Sequence, residues 1–256
     1  MSTEPVAPPP FPEGLSPLKA NLQAFGLLVV FFGYLYGNAL LAGPDAKFTN
    51  PVFSVFITGG LMLLVMALLI RRDADWKASL AVQRKPLLET LLFGAVGLGL
   101  AYAANIVIVL TYTAVSGGLA AQAADKAKWA SKLGDLPLAW VLPLAMFVGL
   151  WEELVFRGFL LGRLRVAFNA TAYSPRHRTV IAIVVAGALF GLGHGYQGLL
   201  GLVQTTAVGI ALGALTVWRR SLWPAVIAHL SIDTIGLVAL KVLKPVLENL
   251  VNKPPA

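Results

Sequence analysis

An all-α, polytopic membrane bundle of about seven transmembrane helices is the fold the sequence predicts, on three observations. The chain is 57% hydrophobic and only 12% charged, with a mean hydropathy of +0.76, far from the balance of a soluble domain. Several apolar runs reach the roughly 20 residues that a helix needs to cross a hydrocarbon core of about 30 Å. The Lys and Arg that give a net charge of +8 cluster between those runs, where cytoplasmic loops and anionic headgroups place them. That placement argues for a lipid bilayer as the partner and against nucleic acid. The chain has no cysteine, which excludes a disulfide framework, a thiolate metal site and a cysteine nucleophile.

In chain order, the proline-rich "EPVAPPPFPEG" lacks a basic region and reads as an extended tail over residues 1–22, not a signal peptide. A membrane domain comes next over 23–243, and 244–256 form a C-terminal tail. Seven spans are expected, at about 23–43, 52–70, 87–113, 138–162, 179–197, 199–218 and 222–243. The basic "RRDADWKASLAVQRK" suits a segment lying along the interface, and "SGGLAAQAADKAKWASKLGD" an exposed loop or short helix. Gly209 and Gly213 form a GxxxG pattern, too common in Gly-rich membrane helices to carry function. Loop charge sets the orientation. Arg71, Arg72, Arg84 and Lys85 join spans two and three, Arg163, Arg165, Arg176 and Arg178 join four and five, and Arg219 and Arg220 join six and seven. These loops are expected inside the cell, the N-terminus inside and the C-terminus outside, although Lys126, Lys128 and Lys132 fall in a loop assigned outside.

Within spans four, five and seven stand Glu152, Glu153, Arg157, His194, His229 and Asp233, all flanked by apolar residues. A charge near the bilayer centre costs roughly 2.5 to 3.5 kcal/mol on insertion scales, so these groups must face inward and neutralise one another. One shared polar cavity is the economical arrangement. Helix geometry then sorts them, because residues four apart share a face while neighbours diverge by about 100°. Glu153 can pair with Arg157; Glu152 projects elsewhere. His194 lies between Gly193 and Gly195, where backbones can approach closely, and His229 precedes Asp233 by one turn on the same face. The third histidine, His177, sits in a basic loop and is expected to be solvated. Depth tests the cavity: Glu152 lies roughly 16 Å from Arg163, His229 roughly 14 Å from Arg220 and His194 roughly 24 Å from Arg178. The three reach one level only if span five begins below the membrane boundary.

Three pieces together, "EELVFR" as EExxxR, "FGLGH" as FxxxH and "HLSID" as HxxxD, resemble the CPBP family of CAAX proteases and bacteriocin-processing enzymes, over roughly residues 137–240. The resemblance implies an α-helical intramembrane endopeptidase acting on a peptide or protein substrate, in some cases membrane-anchored. By position, Glu152 and His194 would activate water and His229 would help stabilise the oxyanion. Glu153, Arg157 and Phe190 would support the helices, and Asp233 would join the catalytic set. Asp233 departs from the Asn of the CAAX-processing branch and agrees with prokaryotic relatives, so a prenylated substrate is not implied.

The residue types suit this chemistry. A carboxylate can take a proton from water, a neutral histidine can hold that water, and a second histidine can meet the charge developing on the scissile carbonyl oxygen. No cofactor is required. Zinc is the alternative, held by Glu152, His194 and His229 as a His₂Glu set, although HExxH is absent. Two readings outside proteolysis also accommodate buried acids and histidines: a proton-coupled transporter, and a non-catalytic interaction or bacteriocin-immunity protein. The expected location is a multi-pass protein of a prokaryotic cell membrane with its site toward the cytoplasm.

Overall fold

The computed structural model describes residues 15–42, 51–71, 73, 76–116 and 133–252. The expected tail before residue 15, most of the loop after Ser116 and the last four residues lie outside them. Among the described residues every long element is helical, and seven helices are long and apolar enough to cross a membrane. These are α1 (Pro17–Ala42), α2 (Pro51–Ile70), α4 (Leu87–Ser116), the composite helix begun by α5 (Leu138–Glu152), α7 (Pro175–Gly193), α8 (Gly198–Arg219) and α9 (Trp223–Asn252). A short helix, α3 (Trp76–Ser79), sits between α2 and α4. The first and last helices overrun the boundaries expected at residues 23 and 243, because both continue past the apolar stretch that the bilayer requires.

Local chemistry sets the ends. The Ser174 hydroxyl accepts from the His177 N–H and Pro175 opens α7 with its φ already helical. Gly198, at φ 81°, turns the chain sharply from α7 into α8, and Arg220, at φ 52°, ends α8 in the left-handed conformation. His177 is exposed, as expected, with its ring against Ser174 Oγ.

The fourth spanning helix is not uniform. After α5 the winding loosens into a π-helical stretch, Glu153–Leu160, and tightens again in α6 (Leu161–Ala167). The Leu161 N–H accordingly reaches back five residues to the Phe156 carbonyl. This helix is the core of the molecule: Val155, Phe156, Phe159, Leu160 and Leu161 pack against Leu27 and Phe31 of α1, Met62 of α2 and Phe190 of α7.

Two features differ from the sequence reading. Arg163 is not a loop residue. It is fully buried, with Nε donating to Gln23 Oε1 at 2.7 Å, a guanidinium nitrogen on the Asp73 carboxylate and the Phe159 ring 4.7 Å away. Nor does the basic segment after α2 simply lie along the interface. Ser79, Leu80 and Ala81 are buried, and the Leu222 N–H and Trp223 indole donate to the carbonyls of Ala81 and Val82.

Small residues bring helices together unequally. A Cβ on Gly209 would stand 2.9 Å from Gly187 Cα, so α7 and α8 cross backbone to backbone there, whereas one on Gly213 would make only ordinary contact with Ile183. The pair that matters is Gly187 with Gly209, across two helices. Gly209→Ala is therefore expected to lower the melting temperature in detergent, by an overpacking cost of about 1 to 3 kcal/mol, and Gly213→Ala to leave it nearly unchanged. Equal melts for the two variants would contradict this packing.

Candidate active site

The six ionisable residues singled out in spans four, five and seven converge. Glu153 and Arg157 are joined at 2.8 Å, with side chains almost wholly inaccessible. The guanidinium lies 4.1 Å from the Phe190 ring, so Phe190 supports Arg157 through its face as well as filling space. The wider π winding helps, because residues four apart come more nearly into line than in an α-helix. Glu153 does more than hold the arginine. The same Oε1 lies 2.7 Å from His229 Nδ1, fixing the ring of a helix distant in sequence. That approach depends on Gly149: a Cβ there would lie 3.2 Å from the Leu230 backbone nitrogen.

Glu152 points the other way, as its neighbouring position requires, and lies between the two catalytic candidates. His194 Nε2 is 4.0 Å from Glu152 Oε1, and His229 Nε2 is 3.7 Å from Glu152 Oε2. Among the described residues, no hydrogen-bond donor reaches Glu152 Oε2. His194 caps the end of α7, and its Nδ1 lies 2.9 Å from the Phe190 carbonyl oxygen. A carbonyl only accepts, so Nδ1 carries the proton and, in the neutral ring, Nε2 turns a lone pair toward Glu152. Two acceptors 4.0 Å apart suit a molecule that donates to both, such as water. Asp233 Oδ2 lies 3.6 Å from His229 Nε2, the side facing Glu152, not the side held by Glu153.

The depth discrepancy disappears for a physical reason. Arg163 lies inside the bundle, so it is the wrong boundary for the fourth span. Measured from Ala170, Glu152 is roughly 27 Å in and His194, measured from Pro175, roughly 28 Å. The start of α9 is itself sunk, with Ser221 and Leu222 buried against the segment 81–83, which carries His229 to the same level.

Zinc, the alternative, would be held by Glu152, His194 and His229. Ligands at about 2.0 to 2.1 Å around a tetrahedral zinc stand about 3.4 Å apart, closer than the separations from Glu152 to either histidine.

Residues 134–235 match the family model described as type II CAAX prenyl endopeptidase Rce1-like. Residues 134–235, about two fifths of the chain, are similar to this endopeptidase family. The matched segment spans the helix with Glu152 through to Asp233 on α9, and so contains all three motifs. No curated protein matches, and no solved structure matches. A segment similar to this family, set among seven helices long and apolar enough to span a bilayer, supports an integral membrane endopeptidase.

The structure brings together the six ionisable residues singled out from the sequence, but sequence reasoning missed two features of their arrangement. One is the contact between Glu153 and His229, which pairs two motifs on different helices and has no signal in either. The other is the π winding, for which a run of apolar residues around one glycine gives no warning. Truncating Arg157 leaves the Glu153 carboxylate buried beside only a histidine. Arg157→Ala is expected to cost about 3 to 5 kcal/mol, against about 0 to 1 for Lys19→Ala, whose 3.8 Å pair with Asp73 is half exposed. Melts of both purified variants in one detergent check the ordering.

Proposed function

We propose that the protein hydrolyses a peptide bond within the membrane by a metal-independent mechanism in which Glu152 is the general base. The observation that carries this reading is the position of Glu152 between His194 Nε2 and His229 Nε2, with the far nitrogen of each ring already committed. A water between Glu152 and His194 donates one hydrogen to each acceptor. Glu152 takes the first proton as the water oxygen attacks the carbonyl carbon. The tetrahedral oxyanion then accepts a hydrogen bond from Nε2–H of a protonated His229, whose Nδ1–H is held by Glu153. Glu152 returns its proton to the amide nitrogen, the C–N bond breaks, and a carboxylic acid and an amine leave.

Glu153 in this scheme is a positioning residue. It touches neither water nor substrate, but it sets the tautomer and plane of His229. Asp233 stands on the donor side of the ring, close enough to influence the oxyanion as well as His229. An amide at that position could itself donate to the oxyanion, which is consistent with Asn serving there in the CAAX-processing branch.

Cleavage of one model peptide by folded variants tests the division of labour. Glu152→Gln should have no measurable rate above background. His229→Ala, which removes an oxyanion donor, should lose about 10² to 10³ in kcat, while Asp233→Asn should stay within about tenfold of the parent. Asp233→Asn as inactive as Glu152→Gln would overturn the scheme. Retention of the biological role by Glu152→Gln would favour an interaction or immunity protein instead.

A strong chelator should leave the rate unchanged. Loss of activity that only zinc restores would convert Glu152, His194 and His229 from proton-transfer groups into ligands.

A further inference from the structure

The helix that begins the bundle, α1, lies outside the segment similar to the family, yet it reaches the residues behind His194. Ala20, Gln23, Ala24, Leu27 and Phe31 are all buried, at the spacing that puts them on one face of the helix. This stripe is pinned at two levels, Gln23 and Phe31, about 12 Å apart along the axis. At the first, Gln23 Oε1 accepts from Arg163 Nε at 2.7 Å and Gln23 Nε2 donates to the Leu69 carbonyl at 2.8 Å. These two bonds keep α1 from sliding along the fourth span.

At the second level, the Phe31 ring meets Phe156 edge to face with centroids 5.4 Å apart. Phe156 meets Phe190 at 5.1 Å, and Phe190 lies 4.6 Å from the His194 ring. Aromatic contact therefore runs unbroken from α1 through the fourth span and α7 to His194. Phe31 also backs His194 directly, because a Cβ on the preceding Gly193 would stand 2.9 Å from two atoms of the Phe31 ring. Farther along α1, Tyr36 Oη donates to the Leu192 carbonyl at 3.3 Å, and the Tyr36 ring stacks on Phe32. Carbonyls at a helix C-terminus have no donor within the helix, so this bond occupies one of them and ties down the last turn of α7. His194 depends on that same turn for its tautomer, through the contact of Nδ1 with the Phe190 carbonyl. A shift of the turn moves the ring nitrogen that faces Glu152.

We infer that Phe31 and Tyr36 are positioning residues for His194, so that a helix outside the three motifs sets the place and tautomer of the ring facing Glu152. What His194 does rests on the hydrolytic reading; what holds it in place does not.

A size exchange in the full chain tests this. Gly193→Ala drives a methyl group against the Phe31 ring and should lower kcat by about 10 to 10², with KM within about twofold of the parent. Phe31→Leu removes the atoms that the methyl strikes, so the double variant Gly193→Ala/Phe31→Leu should return to within about threefold of Phe31→Leu alone. Tyr36→Phe, which loses one hydrogen bond, should lower kcat about two- to tenfold and leave KM unchanged. Nitrogen NMR of histidine-labelled protein reads the ring without reference to cleavage. The chain has three histidines, and the signals missing from His194→Ala are those of His194. Gly193→Ala and Tyr36→Phe should each move these signals toward a mixture of tautomers, and the double variant should return them. With an active parent, a double variant no faster than Gly193→Ala overturns the inference, and so do His194 signals that neither single variant moves. Signals that move and return in a protein that never cleaves a peptide uphold the positioning role and defeat the hydrolytic reading instead. If Gly193→Ala does not fold, Tyr36→Phe decides the matter by the same two readouts.

Discussion

One oxygen atom, Glu153 Oε1, holds the active region together. It meets the Arg157 guanidinium at 2.8 Å and the His229 ring at 2.7 Å, and so couples a charge that the fourth spanning helix must neutralise to a ring carried by the seventh. In a medium with little water each partner would be costly alone, and their opposite charges offset one another. The arginine is further committed to the face of Phe190 on the fifth span, and the backbone of Phe190 in turn holds His194. Motifs far apart in sequence are thereby joined in one network, and a change in any member is felt by the others.

Backbone proximity makes this network reachable. Side chains of histidine and glutamate are short, so their helices must come close, and Gly149 against Leu230 supplies that closeness between α5 and α9. Gly191 does the same between α7 and α8, where a Cβ would strike Thr206 and the Leu202 carbonyl. Far from the site, Gln23, Arg163 and Asp73 form a second polar cluster joining α1, the fourth span and the chain after α2. Arg219 makes a third with Glu89, stacked 3.7 Å from the Phe93 ring. Each of the three arginines, Arg157, Arg163 and Arg219, is matched by an anion and an aromatic face, a pairing well suited to groups that must be kept from lipid.

Hydropathy and length made the seven spans legible, because the bilayer imposes both on any crossing helix. The division between Glu152 and Glu153 was legible too, since adjacent helical residues cannot face the same way. Composition could not convey contact between helices. Arg163 looked like a loop charge because nothing in its own neighbourhood reveals Asp73 or Gln23, and Leu80 looked interfacial because the basic residues around it masked its burial. The role of Gly209 was half visible: the pattern with Gly213 was present, but its true counterpart, Gly187, lies on another helix.

The π-helical stretch Glu153–Leu160 carries a consequence beyond aligning one ion pair. Relative to a regular helix it absorbs about one extra residue, an angular offset of about 100° between the residues before the stretch and those after it. Glu152 and Trp151 are thus set in one phase and Arg163 in another, each facing its own set of partners. The fourth span behaves as two shafts joined by a phase-shifting coupling. Removing a single residue from the coupling would regularise the winding, yet it would turn the anchoring half out of register with the catalytic half. The irregular winding is in this sense a spacer written in rotation instead of length.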